Sequence, residues 1–217
     1  MLFRSEGKGY IEISGGTIAV QSGGDAVDAV TKLRISGGTV STASRQDRIT
    51  IGSRKGLKAG QLLDVSGGVL EITADEDGLH CDGEVRMSGG EVRILATTGV
   101  QAGVRDSGEG DILLSGGKLF IAAVKQALKA EGNLFCSNEL LALCGSDKQA
   151  DPHEGGQAWL RVSVDGSQGD EVRIGMGTET QTAPLSFRIL LYSSASLQQG
   201  DSVSLSVGSR DYTAAAR

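Results

Sequence analysis

The chain has few of the residues that mark several common classes of protein. Its 217 residues include two prolines and three cysteines, and the cysteines form no CxxC or Cys/His metal-ligand spacing. No apolar run is long enough for a membrane span or a signal peptide. The net charge of −6 leaves no basic patch for nucleic acid. A disulfide framework, a Cys/His metal site and nucleic-acid binding are therefore not indicated.

Glycine, by contrast, is abundant, and 33 glycines suit a turn-rich repeat protein. Each of a series of similar segments begins with the triplet Ser-Gly-Gly, and the last segment begins with a degenerate copy of it (Ser-Asn-Glu). These copies begin at Ser14, Ser36, Ser66, Ser88, Ser115 and Ser137. Their successive spacings are 22, 30, 22, 27 and 22 residues. One unit of 22 residues, with insertions of 8 and 5, is therefore repeated along residues 14–137.

Each copy contains three short alternating apolar pairs. In the clearest copy these are Leu70/Ile72, Leu79/Cys81 and Val85/Met87. Alternation at period two indicates strands with one buried face, and no apolar pattern of helical length is present. Three strands and three turns in 22 residues predict one coil of a right-handed parallel β-helix. The predicted fold is thus all-β, with five to six coils.

The periodicity stops after Cys144, where short turn-bounded strand patterns of another kind follow. Such patterns are typical of antiparallel β structure. We therefore divide the chain into a parallel β-helix over residues 1–148 and a C-terminal β cap over residues 149–217. Ile11 and Ile13 already continue an inward column of the helix, so the chain is expected to begin in mid-coil, with further coils and an export signal upstream.

Stacking of the copies predicts a narrow interior beside the second strand of each coil. The small residues at this position are Ala29, Ala59, Cys81, Ala102 and Ala130. A Phe at Ala102 should therefore overpack the core. Cys81 and Cys136 occupy core columns and read as small hydrophobic residues, whereas Cys144 follows the last inward residue and is expected to be partly exposed. The Gly-Gly pair allows a positive φ at a corner where a Cβ would clash.

Two columns of outward residues flank the second strand. The first column is Asp25, Lys55, Asp77, Thr98 and Gln126, and the second is Asp28, Lys58, His80, Gln101 and Lys129. Because neighbouring coils lie about 5 Å apart, ion-pair ladders are expected along Asp25–Lys55–Asp77 and between Asp28 and Lys58. Such a ladder reads either as a solvated face of salt bridges or as a groove in which lysines grip the carboxylates of an extended polymer.

The richest acidic run, residues 75–82, suggests a cation site. Asp75, Asp77 and Asp82 are the candidate ligands, and calcium is the one cofactor they indicate, although one turn supplies too few oxygens alone. A calcium-dependent lyase would also need a base, for which Lys58 or Lys129 is available. His80 is expected to have an exposed polar role rather than that of a general base.

At these residues the chain resembles a known family. The segments GKGYIEISGGTI, DEDGLHCD and LLYSSASLQQGDSVSLSVG are similar to bacterial cell-surface "carbohydrate-binding domain-containing" proteins. The resemblance implies a pectate-lyase-like β-helix that binds cellulose or acidic plant polysaccharides, with calcium, outside the cell or at its surface. The family's acidic corner is close to residues 75–82 only, and residues 97–101 and 125–129 lack its carboxylates, so fewer metal sites are expected.

Together these observations predict a non-catalytic, monomeric protein whose partner is a polysaccharide. The candidate ligand-binding residues are Asp25, Asp28, Lys55, Lys58, Asp77, His80 and Lys129. Two alternatives stay open at this point. One is a calcium-dependent polysaccharide lyase of the pectate type. The other is a structural or adhesion module of the cell surface that binds no sugar.

Overall fold

A computed structural model describes residues 3–4, 9–45, 52–153, 156–175 and 180–217, and their regular secondary structure is all β. The strands are β1 (Phe3–Arg4), β2 (Ile11–Ile13), β3 (Thr17–Ser22), β4 (Val27–Ala29), β5 (Lys32–Ser44), β6 (Leu57–Ala59), β7 (Leu62–Ala74), β8 (Asp77–Cys81), β9 (Glu84–Ala102), β10 (Ile112–Ala130), β11 (Leu134–Cys136), β12 (Glu139–Cys144), β13 (Trp159–Gly166), β14 (Glu171–Ile174), β15 (Thr180–Thr182), β16 (Phe187–Ser193), β17 (Ser202–Val207) and β18 (Arg210–Ala215). Within this part of the chain no helix has the length and apolar character needed to cross a bilayer.

The repeated copies pair with one another in three parallel rows. Row one follows each Ser-Gly-Gly and contains β3, β12 and the later parts of β5, β7, β9 and β10. Row two contains β4, β6, β8 and the ends of β9 and β10. Row three precedes each Ser-Gly-Gly and contains β2, β11 and the first parts of the four long strands.

The predicted inward columns are confirmed by this pairing. In row two, Leu57 lies opposite Leu79, and Leu79 opposite Val100, and all three side chains are buried. The first insertion does not disturb the pairing, since Val27 still pairs with Leu57 across the 30-residue repeat, and at the second one a register shift between Ala123 and Gln126 keeps Leu128 opposite Val100. Equal side-chain positions in successive copies thus form continuous apolar files, and this one cluster accounts for most of the core.

The inserted segments leave the rows at turns, as loops do in a repeat protein. The predicted loop over residues 104–110 contains no strand and holds Asp106 at a φ of 62°. Of the other predicted loop, residues 45–53, positions 46–51 lie outside the described residues.

The chain beyond the repeats is antiparallel, as the strand patterns predicted. β16 pairs with β12, the last strand of row one, and β13 pairs with the far edge of β16, so the large sheet is mixed. A second sheet has the order β15-β14-β17-β18. Phe187 lies in a second apolar cluster between this sheet and the large one, but Trp159 packs into the main core.

All three cysteines are free and buried. Cys81 pairs in register with Ala59 and Ala102 and has the predicted role of a small core residue. The expected partial exposure of Cys144 is wrong, because its side chain is fully buried beneath the antiparallel strand β16 that pairs with β12. Burial raises the pKa of both the Cys81 and Cys144 thiols to about 11, and it raises that of Cys136 as well.

We expect the native protein to resist thiol reagents. The raised pKa lowers the thiolate fraction by about a hundredfold for Cys81 and Cys144, and only the thiolate attacks. Ellman's reagent should therefore react with native protein very slowly and with three thiols after denaturation. Rapid release of one equivalent from native protein would contradict the buried placement, and the variant Cys144→Ser would show whether that thiol is responsible.

Candidate functional site

The second predicted outward column lies in register on the outer side of row two. Asp28 pairs with Lys58, Lys58 with His80, and His80 with Gln101, to which Lys129 is the next neighbour. We call these five residues the charged face. They are held there because the residues on either side of each point into the core, which fixes the direction of the one between them.

Lys58 is the central residue of the first half of the charged face, formed by Asp28, Lys58 and His80, which we call its lower half. Its Nζ lies 3.8 Å from an Asp28 oxygen and 3.7 Å from an Asp25 oxygen. The predicted Asp28–Lys58 ion pair is therefore present, and Asp25 adds a second carboxylate to it. The Lys58 side chain is 29% exposed, so these contacts are only partly screened by water.

The other predicted ladder, Asp25–Lys55–Asp77, takes a different form. Asp25 is almost buried and accepts a hydrogen bond of 2.8 Å from the backbone N–H of Lys55, not from its ammonium group. The Lys55 Nζ turns to Glu76, at 3.2 Å, and to the Ser53 hydroxyl, at 2.6 Å. The expected run of three alternating side-chain charges is thus wrong, because a buried carboxylate at a turn is satisfied by backbone donors first.

His80 lies between two carboxylates and is nearly buried, which corrects the expectation of an exposed side chain. Its Nδ1 is 2.8 Å from an Asp77 oxygen and its Nε2 is 3.1 Å from an Asp82 oxygen. Both ring nitrogens are therefore occupied by intramolecular partners. The imidazole is fixed in orientation, and it bridges the carboxylate groups of Asp77 and Asp82.

The three candidate calcium ligands are each engaged by another side chain. Asp77 and Asp82 contact opposite sides of the His80 ring, whereas Asp75 lies 3.6 Å from Arg54. In the described part of the chain no group of three or more His, Cys, Asp or Glu side chains is arranged to hold a metal ion. The calcium site stays a prediction from the sequence.

Lys129 lies at the far end of the charged face, three strands beyond Lys58 and roughly 14 Å from it at the usual strand spacing. Its Nζ is 3.2 Å from a Glu131 oxygen. This hydrogen bond lowers the pKa of the Glu131 carboxyl. The lysine is therefore also engaged within the protein, and it shares no contact with the lower half of the face.

Carboxylates outnumber ammonium groups around the charged face. The three lysines Lys55, Lys58 and Lys129 each lie within 4 Å of a carboxylate. Among the described residues, Asp25, Asp28, Glu76 and Glu131 contact these lysines, Asp77 and Asp82 contact His80, and Arg54 contacts Glu76 and Asp75, which gives seven carboxylates against four lysine and arginine side chains. The face therefore carries a negative potential and offers mainly hydrogen-bond acceptors.

The structure also contains a groove that the sequence did not indicate. It has a volume of about 590 Å³ and lies between the outer side of row one and the strands β14 and β15. Phe120, Leu141 and Tyr192 line it from one side, and Val172, Ile174 and Gln181 from the other. The outward positions of row one could be predicted from the repeats. The position of Tyr192 could not, because it depends on the antiparallel pairing of β16.

Pairing and site together define an all-β repeat protein with a charged outer face and a polar-rimmed groove. Residues 4–102 match the model of a family described as "Carbohydrate-binding domain-containing protein". The match covers 99 of the 217 residues and includes the charged face from Asp28 to Gln101. It supports a carbohydrate-binding role for the chain. No curated protein and no solved structure matches it.

Proposed function

We propose that this protein binds a polysaccharide without cleaving it, outside the cell or at the cell surface. The observation that carries the proposal is the family match, which spans the repeats that build the lower charged face. Those repeats place Asp28, Lys58 and His80 in one straight file. A file of polar groups about 4.8 Å apart suits an extended chain that presents hydroxyl groups at regular intervals.

The proposed frame for this file is a right-handed parallel β-helix of residues 1–148 closed by a β cap of residues 149–217. Three parallel rows in which equivalent apolar residues lie opposite one another support it, as does their continuity across insertions. A right-handed path is the strong preference for a connection between parallel strands. The cap would cover the last repeat and keep other chains from adding to its edge.

The charges favour a neutral polysaccharide of the cellulose type over a uronic-acid polymer. Lys55, Lys58 and Lys129 each already contact a carboxylate, so a uronate that binds to one of them would have to displace an existing partner. It would also meet the excess of carboxylates, and like charges brought together at an interface cost binding energy. Sugar hydroxyl groups, in contrast, can donate to these carboxylates without breaking the ion pairs.

We expect the protein to be retained on insoluble cellulose and not to be retarded in gels that contain polygalacturonate. The double variant Lys58→Gln/Gln101→Ala should lower retention roughly fivefold, the size of effect typical of a contact residue. The control is Arg34→Gln, which removes the same charge from an exposed ion pair with Asp64 elsewhere on the surface. Melting temperatures should show that all the proteins are folded.

Other outcomes would select other functions. Retardation by polygalacturonate without retention on cellulose would contradict the preference for a neutral polymer. Release of an unsaturated uronide, seen by its ultraviolet absorbance, would establish a lyase, and binding to neither polymer would favour a structural module. A rise in melting temperature with added calcium, reversed by a chelator, would support the predicted ligands Asp75, Asp77 and Asp82.

A further inference from the structure

The groove beside row one has the composition of a small-molecule site. Its volume of about 590 Å³ falls in the range of ligand pockets, which combine apolar walls with a few placed polar groups. The apolar part comes from a file of outward residues, in which Phe120 pairs with Leu141, and Leu141 with Tyr192. The two aromatic residues are therefore two strands, or roughly 10 Å, apart.

The opposite wall comes from a separate part of the chain. Val172 and Ile174 of β14 and Gln181 of β15 face the file across the groove. Arg93 links the two walls, because its guanidinium lies 5.7 Å from the centre of the Phe120 ring and donates a 3.1 Å hydrogen bond to the Gln181 side-chain oxygen. The groove is thus held by direct contacts between the large sheet and the second sheet.

The rim is polar, and its charges are paired within the protein. Arg93 lies 3.3 Å from Glu91 and 3.7 Å from Glu71, and Lys118 lies 3.4 Å from Glu139. Two cations against three carboxylates leave no positive excess to attract an anionic ligand. Paired carboxylates and guanidinium groups still have free lone pairs and N–H groups, so they can bind a neutral molecule that is rich in hydroxyl groups.

A sugar unit fits both parts of this groove. Its C–H face is apolar and packs on aromatic and aliphatic side chains, and its hydroxyl groups lie around the ring edge, where they can reach a polar rim. We propose that the groove between Phe120, Tyr192 and Gln181 binds a short stretch of a neutral glycan. It is a second site, separate from the charged face, and it rests on the proposed function that this protein binds carbohydrate.

The test is calorimetric titration of the full chain with cellohexaose. The variant Phe120→Ala should weaken binding roughly tenfold, as loss of a central aromatic contact does. The matched control is Tyr10→Ala, which removes a 66% exposed aromatic side chain beside β2, ahead of the first Ser-Gly-Gly and away from this groove, and should change Kd less than twofold. Gln181→Ala is a second probe at a polar residue outside the two apolar clusters, so the proposal stays testable if Phe120→Ala lowers stability.

The results separate this proposal from the proposed function. If the unaltered protein binds cellohexaose and neither groove variant changes its Kd, the groove proposal is overturned while carbohydrate binding stands. If the unaltered protein binds neither cellohexaose nor cellulose, both fall together. Equal losses in Phe120→Ala and Tyr10→Ala would also overturn it, since they would show a general effect of removing surface aromatic residues.

Discussion

Replacing Ala102 by Phe should destabilise the protein more than any other single substitution that we consider. Ala102 is fully buried, and its neighbours in row two are Cys81 and Ala130. This file accepts only small side chains, so the ring must displace backbone in both adjacent repeats. Overpacking of this kind costs about 3 kcal/mol or more, a large part of the 5–15 kcal/mol that stabilises a typical domain.

Chemical denaturation followed by circular dichroism measures the effect. The matched control is Ala102→Cys under reducing conditions, because the preceding repeat already holds a cysteine at this position. It should lose less than about 1 kcal/mol. A Phe variant as stable as the cysteine variant would contradict the narrow interior at row two, and with it the tight packing of the repeats.

Replacing Gly67 by Ala should destabilise the protein by about 1–3 kcal/mol. Gly67 is the first glycine of a Ser-Gly-Gly corner, and a Cβ there would lie 2.5 Å from the backbone oxygen of Ser36 in the preceding repeat. That oxygen is part of the backbone and has no rotamer by which to move away. The glycine is thus required by the close approach of two corners.

The same motif supplies an internal control. Gly15 is the first glycine of the first described corner, and a Cβ there meets no described atom within 4 Å. Gly15→Ala should therefore be close to neutral in the same denaturation experiment. Equal losses in both variants would contradict this explanation, because they would show that the loss in Gly67→Ala does not come from contact between stacked corners.

The repeats made the strand pairing predictable, whereas the site was only partly so. Each inward position of row two recurs with the same residue size in successive copies, and the structure pairs these positions as expected. The pairing of outward neighbours such as Asp28 and Lys58 could be predicted from the same repeat spacing. The partners of longer side chains could not be predicted in this way. The Nζ of Lys55, for example, lies 3.2 Å from Glu76 and does not make the expected contact with Asp77.

The sequence by itself determined which backbone positions lie side by side, since an alternating pattern repeated at a fixed spacing allows one register in which every apolar residue is buried. Only the tertiary structure decided that His80 is enclosed between Asp77 and Asp82 and that Tyr192 joins the file of Phe120. The first depends on side-chain torsions at a turn. The second depends on an antiparallel pairing between segments of unrelated sequence, for which no repeat provides a register.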